Sequence, residues 1–358
     1  MKNSLRDIKE KIDNHIRLTR EDAIELFHHR DLLEIGRMAN QVKQEKSGQD
    51  VFFNFNLHLN LTNVCVSRCK FCAFGKDPNH PEAYTMSVEE AVEYAKHGPS
   101  GITELHIVSA LHPELPFSYY VEVIDRLRHA FPGVYLQAFT AVEIEYFSRI
   151  SGLSIYQVLK TLKEAGLNSM PGGGAEILSE RVRGITCAKK ATSQQWLEVM
   201  RTAHSLDIKT NATMLYGHIE TIEERVDHLL QLRELQDETN GFQAFIPLAF
   251  HPENTAMSDI KRTSALDDLR VQSVSRLVLD NFDHIKAFWI MLGIPIAQLA
   301  LKFGADDLDG TVVEERITHA AGATTDVGIA KEDIIALIRE AGYVPVERDT
   351  VYNVIRRY

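Results

Sequence analysis

The feature that most limits how this chain can fold is a pattern repeated from Val51 onward: a short apolar or alternating segment, a loop, then an amphipathic segment. The strand-like segments are Val51–Leu61, Glu104–Val108, Val134–Phe139, a short stretch running into Pro171, Ile208–Tyr216, Phe242–Leu248 and Ile285–Trp289. Helix-like segments begin at Ser87, Ser118, Ser154, Thr192, Thr221 and Ser264, and another follows Pro295. Openings such as Ser87-Val88-Glu89-Glu90, Ser154-Ile155-Tyr156-Gln157 and Thr221-Ile222-Glu223-Glu224 let side chains satisfy the orphan N–H groups of a helix start. Strands alternating with helices imply a parallel sheet. Seven or eight such units in about 270 residues fit a (βα)8-type barrel, closed or nearly so, whose chemistry sits on loops leaving the C-terminal strand ends. A doubly wound open sheet is the alternative, but no GxGxxG follows the first strand. The expected organisation is an N-terminal helical leader over 1–48, the barrel over 49–330, and a C-terminal helix and tail over 331–358 packed on it. In the leader, Thr19 with Asp22 resembles a capping box.

The first strand has two chemically different faces. Val51, Phe53, Phe55, Leu57, Leu59 and Leu61 alternate with Asn54, Asn56, His58 and Asn60. On an antiparallel edge the polar face would meet water. In a barrel wrapped by helices the apolar face packs outward, so Asn56, His58 and Asn60 point into the lumen as candidate catalytic residues. The 39 Lys+Arg against 50 Asp+Glu give a net charge of −11, which argues against a nucleic-acid partner or an anionic membrane surface. Ala287–Ala297, the longest apolar stretch, is interrupted by Gly293 and Pro295 and is far shorter than the ~18 residues of a membrane span. The first residues carry mixed charge instead of a signal-peptide core, so a cytoplasmic location is expected.

Only four cysteines occur, and Cys65, Cys69 and Cys72 lie within eight residues, just past the first strand. That number and compartment exclude a disulfide framework. Three thiolates on one loop can hold three irons of a cubane cluster and leave the fourth open, as a catalytic centre requires. The alternative is a structural zinc site completed by a histidine such as His80, although no second CxxC pair is present. Cys187, without a partner in sequence, reads as a structural thiol.

The Cx3Cx2C spacing, with Phe71 before the last cysteine and at the end of a first barrel strand, resembles the radical S-adenosylmethionine (SAM) superfamily. Thr62-Asn63-Val64-Cys65 through Cys72-Ala73-Phe74-Gly75, Leu111-His112-Pro113, Met170–Leu178 and Ala305–Thr311 narrow the resemblance to the menaquinone enzymes of the futalosine route and the deazaflavin synthases. Gly217-His218-Ile219-Glu220, Leu235–Thr239 and Phe250–Thr255 look most like the aminofutalosine synthase family. The resemblance covers about residues 20–345. It implies a 4Fe–4S cluster on Cys65, Cys69 and Cys72, and SAM as a consumed co-substrate whose S–C5′ bond is cleaved to give a 5′-deoxyadenosyl radical. Barrel walls keep water from quenching such a radical. It further implies addition of that radical to 3-(1-carboxyvinyloxy)benzoate, an aromatic enol-ether dicarboxylate, with an electron donor such as flavodoxin or ferredoxin. A sister cyclase or deazaflavin synthase reaction is the nearer alternative, and a non-catalytic metal-binding barrel the more distant one.

By the same resemblance Phe71 and Gly75 of the cysteine loop contact the cofactors, and backbone carbonyls at Ser109 and Ala110 meet the SAM amino group. The family usually has two glycines there. Glu176 is expected on the SAM ribose, Arg181 and Arg183 on the SAM carboxylate, and Tyr216 with Gly217 near the adenine. Simpler readings stand beside these. Gly172-Gly173-Gly174 lacks the Lys-Ser/Thr of a phosphate loop and suits a tight turn. Arg181 and Arg183 suit a solvated helix face. Asp306, Asp307 and Asp309 fail the calcium-loop template and read as caps or as part of a late barrel loop. His112 and His251 precede prolines at strand ends, where loop structure alone accounts for them.

Overall fold

The computed structural model describes residues 4–358. Eleven strands form two sheets among the described residues. They are β1 (Asp50–Asn54), β2 (Asn56–Leu59), β3 (Glu104–Ile107), β4 (Tyr135–Ala138), β5 (Ser169–Met170), β6 (Lys209–Tyr216), β7 (Phe242–Ala249), β8 (His284–Ile285), β9 (Asp307–Gly310), β10 (Val344–Arg348) and β11 (Val354–Arg357). Strands β2 to β8 lie in sequence order in one seven-stranded sheet, parallel throughout. The segment containing β9 spans the gap that remains, bridging Lys286 through Asp307 and Leu57 through Val313. A curled (βα)8-type fold results. Its apolar layer lies between the sheet and the outer helices, with Leu57, Leu59, Leu105, Ile107 and Leu136 fully buried.

The single strand expected over 51–61 is two strands in two sheets. The chain breaks at Phe55, whose backbone bonds Thr103: the Thr103 N–H donates to the Phe55 carbonyl at 2.7 Å. β1 leaves the barrel to pair with β9 and β10 in a four-stranded sheet ordered β11-β10-β1-β9. Gly310 permits this, because a Cβ there would lie 2.0 Å from Asn54 Oδ1 and 2.6 Å from Asn56 Oδ1. Two further expectations differ. The segment 285–289 has only two strand residues before a helical turn at Trp289–Leu292, and the loop expected around Asp307–Asp309 is strand β9. A helix at Ala141–Ser151, opened by a Thr140–Glu143 capping box, adds to the expected set.

Helices Leu5–Asp13, Arg20–His28 and Leu32–Ser47 occupy the leader, and the Thr19–Asp22 capping box forms. Arg270 donates to the Leu26 and His29 carbonyls, tying the leader to helix Ala265–Val278. No described helix is long and apolar enough to cross a membrane. At the lower end of the barrel, Arg276 and Asp306 form a 2.7 Å pair with neither side chain exposed. Burial alone would raise the Asp306 carboxyl, but Arg276 and His284 hold it well below the usual range. Removing one partner of such a pair strands a buried charge. Arg276→Ala is expected to lower the unfolding free energy by about 3–5 kcal/mol in a denaturant titration. Arg17→Ala, which removes a half-exposed pair with Asp237, is expected to cost about 0–1 kcal/mol.

Candidate active site

The upper end of the barrel opens into a cavity of about 500 Å³. Cys65, Cys69 and Cys72 line it together with Phe71 and Gly75. Polar anchors on the β2 exit fix their loop. The Asn63 side chain donates to the Glu82 carbonyl at 2.9 Å and accepts from the Tyr84 N–H at 2.8 Å, and the Cys65 N–H donates to Lys76 O at 3.0 Å. A Cβ at Gly75 would stand 3.2 Å from Cys65 Cβ and 3.9 Å from the sulfurs of both Cys65 and Cys72, so glycine keeps the space beside two thiols free. Burial pushes the Cys69 thiol up to about 11 and raises that of Cys72, so metal must displace protons to bind here. A single tetrahedral ion needs its ligands to converge, and among the described residues no three His, Cys, Asp or Glu side chains do so. A cubane cluster instead places each thiolate on its own iron. The donor set therefore fits a cluster.

Beside the cysteine loop, Glu176 sits in a left-handed backbone conformation (φ 49°) and pairs with Lys190 at 2.6 Å. Lys190 also lies 5.2 Å over the Phe71 ring. Burial opposes its charge, but Glu176 and Cys69 keep its pKa above the ordinary lysine value. Ser109 and Ala110 line the same wall. The Ser109 N–H donates to Glu143 Oε1 at 2.9 Å, while its hydroxyl accepts from the Thr62 N–H at 3.0 Å. A glycine could not make that second contact. Here the serine stitches the β3 exit to the cysteine loop.

The floor is polar. His58 and Asn60 line the cavity, and Asn60 donates to the Val108 carbonyl at 2.7 Å. His58 Nε2 is buried without a partner, and its ring stacks on that of His106 with centroids 4.5 Å apart. Burial, helped by His106, lowers the His58 pKa to about 4, so the ring is neutral near pH 7. Gln137, Asn211 and Lys286 complete the floor; Lys286 pairs with Asp309 at 2.6 Å, and Asn211 Oδ1 is buried and unpartnered. His251 also lines the cavity, its Nε2 bonded to Met291 O and its Nδ1 free of any partner.

Five candidate residues lie elsewhere. Asn56 is buried below the cavity and accepts from the Val312 N–H at 2.7 Å. Arg181, half exposed, pairs with Glu224 and not with the cavity. Arg183 is buried and clamps the glycine-rich loop, donating to the Gly174, Ala175 and Ala191 carbonyls. Tyr216 points outward to Asp268 at 2.8 Å, and Gly217 donates its N–H to Glu220. His112 accepts from the Glu114 and Leu115 N–H groups, a loop role, and Cys187 is buried beside Thr186. His106, Gln137, Glu143, Lys190, Asn211 and Lys286 went unnoticed in the sequence. Two of them carry a readable signal. Glu143 closes a T-x-x-E box, and His106 stands in register with His58.

Residues 59–232 match the radical SAM superfamily and residues 239–357 match the CofH/MqnC C-terminal region. The chain is 46% identical to the aminodeoxyfutalosine synthase of Thermus thermophilus, over 98% of this chain and 95% of that one. Its identity to the aminodeoxyfutalosine synthase of Streptomyces coelicolor is 47%, over 99% and 94%. A 5-amino-6-(D-ribitylamino)uracil–L-tyrosine 4-hydroxyphenyl transferase from Methanopyrus kandleri is 39% identical over 92% and 90%. In fold the chain resembles methylornithine synthase, with a TM-score of 0.72 at 19% identity over 94% and 95% of the two chains. The FeFe-hydrogenase maturase HydG of Carboxydothermus hydrogenoformans gives 0.74 at 17% over 97% and 80%. Radical SAM enzymes use a 4Fe–4S cluster and SAM, and the cysteine loop, the cavity beneath it and the full-length relatives agree: this chain is an enzyme of the radical SAM superfamily, in the family of the aminodeoxyfutalosine synthases.

Proposed function

We propose that the chain carries out the aminodeoxyfutalosine synthase reaction, joining the 5′-deoxyadenosyl group of SAM to 3-(1-carboxyvinyloxy)benzoate on the way to menaquinone. The observation that carries this reading is one cavity with three cysteines at its mouth and a neutral histidine, His58, with an unmet nitrogen at its floor. The identity of 46–47% to two synthases against 39% to a sister transferase supports the choice of reaction. When bound on Cys65, Cys69 and Cys72, the cluster supplies the electron that cleaves SAM to the 5′-deoxyadenosyl radical. The chain's own groups bind and orient. The Ser109–Ala110 backbone would receive the SAM amino group, and Glu176 would offer a carboxylate oxygen to the ribose. Lys190, the buried cation of the cysteine wall paired with Glu176, lines the cavity where Arg181 and Arg183 do not, and it would meet the SAM carboxylate.

At the floor, neutral His58 has one N–H donor and one acceptor nitrogen for the substrate, and Asn60 shares its wall. Burial of Nε2 without a partner costs about 1–3 kcal/mol until a ligand group fills the place. That cost makes binding there favourable. The route also requires a small electron-transfer protein as reductant, of the flavodoxin or ferredoxin kind, and a cytoplasmic setting suits such a partner.

Anaerobic reconstitution is expected to load about four irons per chain, unchanged in Cys187→Ala and lost in Cys69→Ala. Retention in Cys69→Ala with loss in Cys187→Ala would show the ligands to be misassigned. With isotope in the adenine of SAM and the enol ether present, mass spectrometry should find the label in a new, larger nucleoside. Label recovered only as free 5′-deoxyadenosine would instead favour hydrogen abstraction. His58→Ala should keep iron and SAM binding yet lose turnover at least tenfold, about 1.4 kcal/mol of transition-state stabilisation. Unchanged turnover would remove the floor from the substrate site.

A further inference from the structure

Below the cavity floor, the turn between β10 and β11 enters the lower mouth of the barrel. Asp349 shapes it: its carboxylate accepts from the Val351 and Asn353 N–H groups, both at 2.9 Å, and Tyr352 takes a left-handed backbone conformation (φ 64°). Three side chains then point inward. Arg348 donates to Asp307 Oδ2 at 2.7 Å with its side chain 1% exposed. Tyr352 donates to the same oxygen at 2.8 Å, and its ring lies on that of His284 with centroids 3.8 Å apart and planes within 2°. Thr350, itself buried, donates its hydroxyl to Glu104 Oε2 at 2.7 Å.

Both acceptors lead upward. The other oxygen of Glu104 stands 3.7 Å from His106 Nδ1, which is itself hydrogen-bonded to Gln137 Oε1 at 3.0 Å, and the His106 ring carries the stack on His58. Asp307 Oδ1 accepts from the Asp309 N–H at 2.5 Å, and Asp309 pairs with Lys286 at the floor. Neither Thr350, Arg348, Tyr352 nor Glu104 reaches the cavity. Buried polar contacts of this kind cost more to leave half made than to omit, so their continuity from turn to floor is a constraint on position.

We infer that the 348–353 turn is a polar plug that closes the lower mouth of the barrel and positions the floor, with Thr350 acting on the His106–His58 pair through Glu104. Thr350 and Glu104 are positioning residues, since neither touches the chamber. The inference rests on the reading of the cavity as the reaction chamber. The hydroxyl of Thr350 fixes the Glu104 carboxylate, and without it the carboxylate is free to turn away from the His106 ring that it now stands beside. His106 in turn sets the orientation of the neutral His58 ring toward the substrate.

The test uses Thr350→Val, Thr350→Ser, Glu104→Gln and the Thr350→Val/Glu104→Gln pair in the full chain. In the cofactor-free protein with isotope-labelled histidine, Thr350→Val should shift the His106 ring resonances at fixed pH, and Thr350→Ser should leave them in place. In the loaded enzyme, Thr350→Val should lower turnover about tenfold with the KM for SAM unchanged, should add no further loss in the Glu104→Gln background, and should be rescued by serine. Unmoved His106 resonances, or an equal loss from Thr350→Val with and without Glu104, would overturn the inference. If the unsubstituted enzyme gives no adenosyl adduct while His106 responds as expected, the reaction assignment fails and the plug stands.

Discussion

The chamber depends on how one gap is filled. Seven short strands curl but leave β2 and β8 unpaired with each other, and the segment from Asp306 to Val313 occupies the space between them. Unpaired strand edges inside a protein leave backbone groups without partners, so a filler must offer both backbone and side chains. This one also brings buried or mostly buried carboxylates. Each is matched: Asp306 with Arg276 and His284, Asp307 with Arg348 and Tyr352, Asp309 with Lys286. The filler is thus held by cations drawn from three other parts of the chain, and the floor of the cavity inherits its geometry from those pairs.

The same segment explains why a continuous strand over 51–61 was not to be had. To lie against both β8 and β2, the filler must also pair with what precedes β2, and β1 turns aside at Phe55 to receive it. The residue alternation survives the break, so the pattern in the sequence is real, but the pairing partner lies more than 250 residues away and leaves no local trace. Strand β9 was equally hidden. Asp307-Leu308-Asp309-Gly310 has the composition of a turn, and only the burial of its carboxylates against distant arginine and lysine makes a strand there affordable.

For the site, short-range chemistry was legible and long-range chemistry was not. Three cysteines spaced for one loop do line one cavity, because spacing within eight residues survives folding. His58 and Asn60 reach the lumen by strand alternation, whereas Asn56, two residues earlier, is consumed by the Val312 N–H. Arg181 and Arg183 could not be assigned from sequence, since each is claimed by a partner from elsewhere: Glu224 on one side, the carbonyls of the glycine-rich loop on the other. Lys190 was invisible for the complementary reason. Its partner Glu176 lies fourteen residues away across a helix, and only the fold brings the two to the cysteine wall.

The buried setting of Cys69 and Cys72 has a consequence for the chain before it is loaded. Alkylation, disulfide exchange and oxidation by peroxide all proceed through the thiolate, and a thiol whose pKa has risen to about 11 carries on the order of one part in ten thousand as thiolate at neutral pH. Cys69 and Cys72 are therefore chemically quiet as free thiols. Uptake of metal on this loop must then release a proton from each of these two thiols.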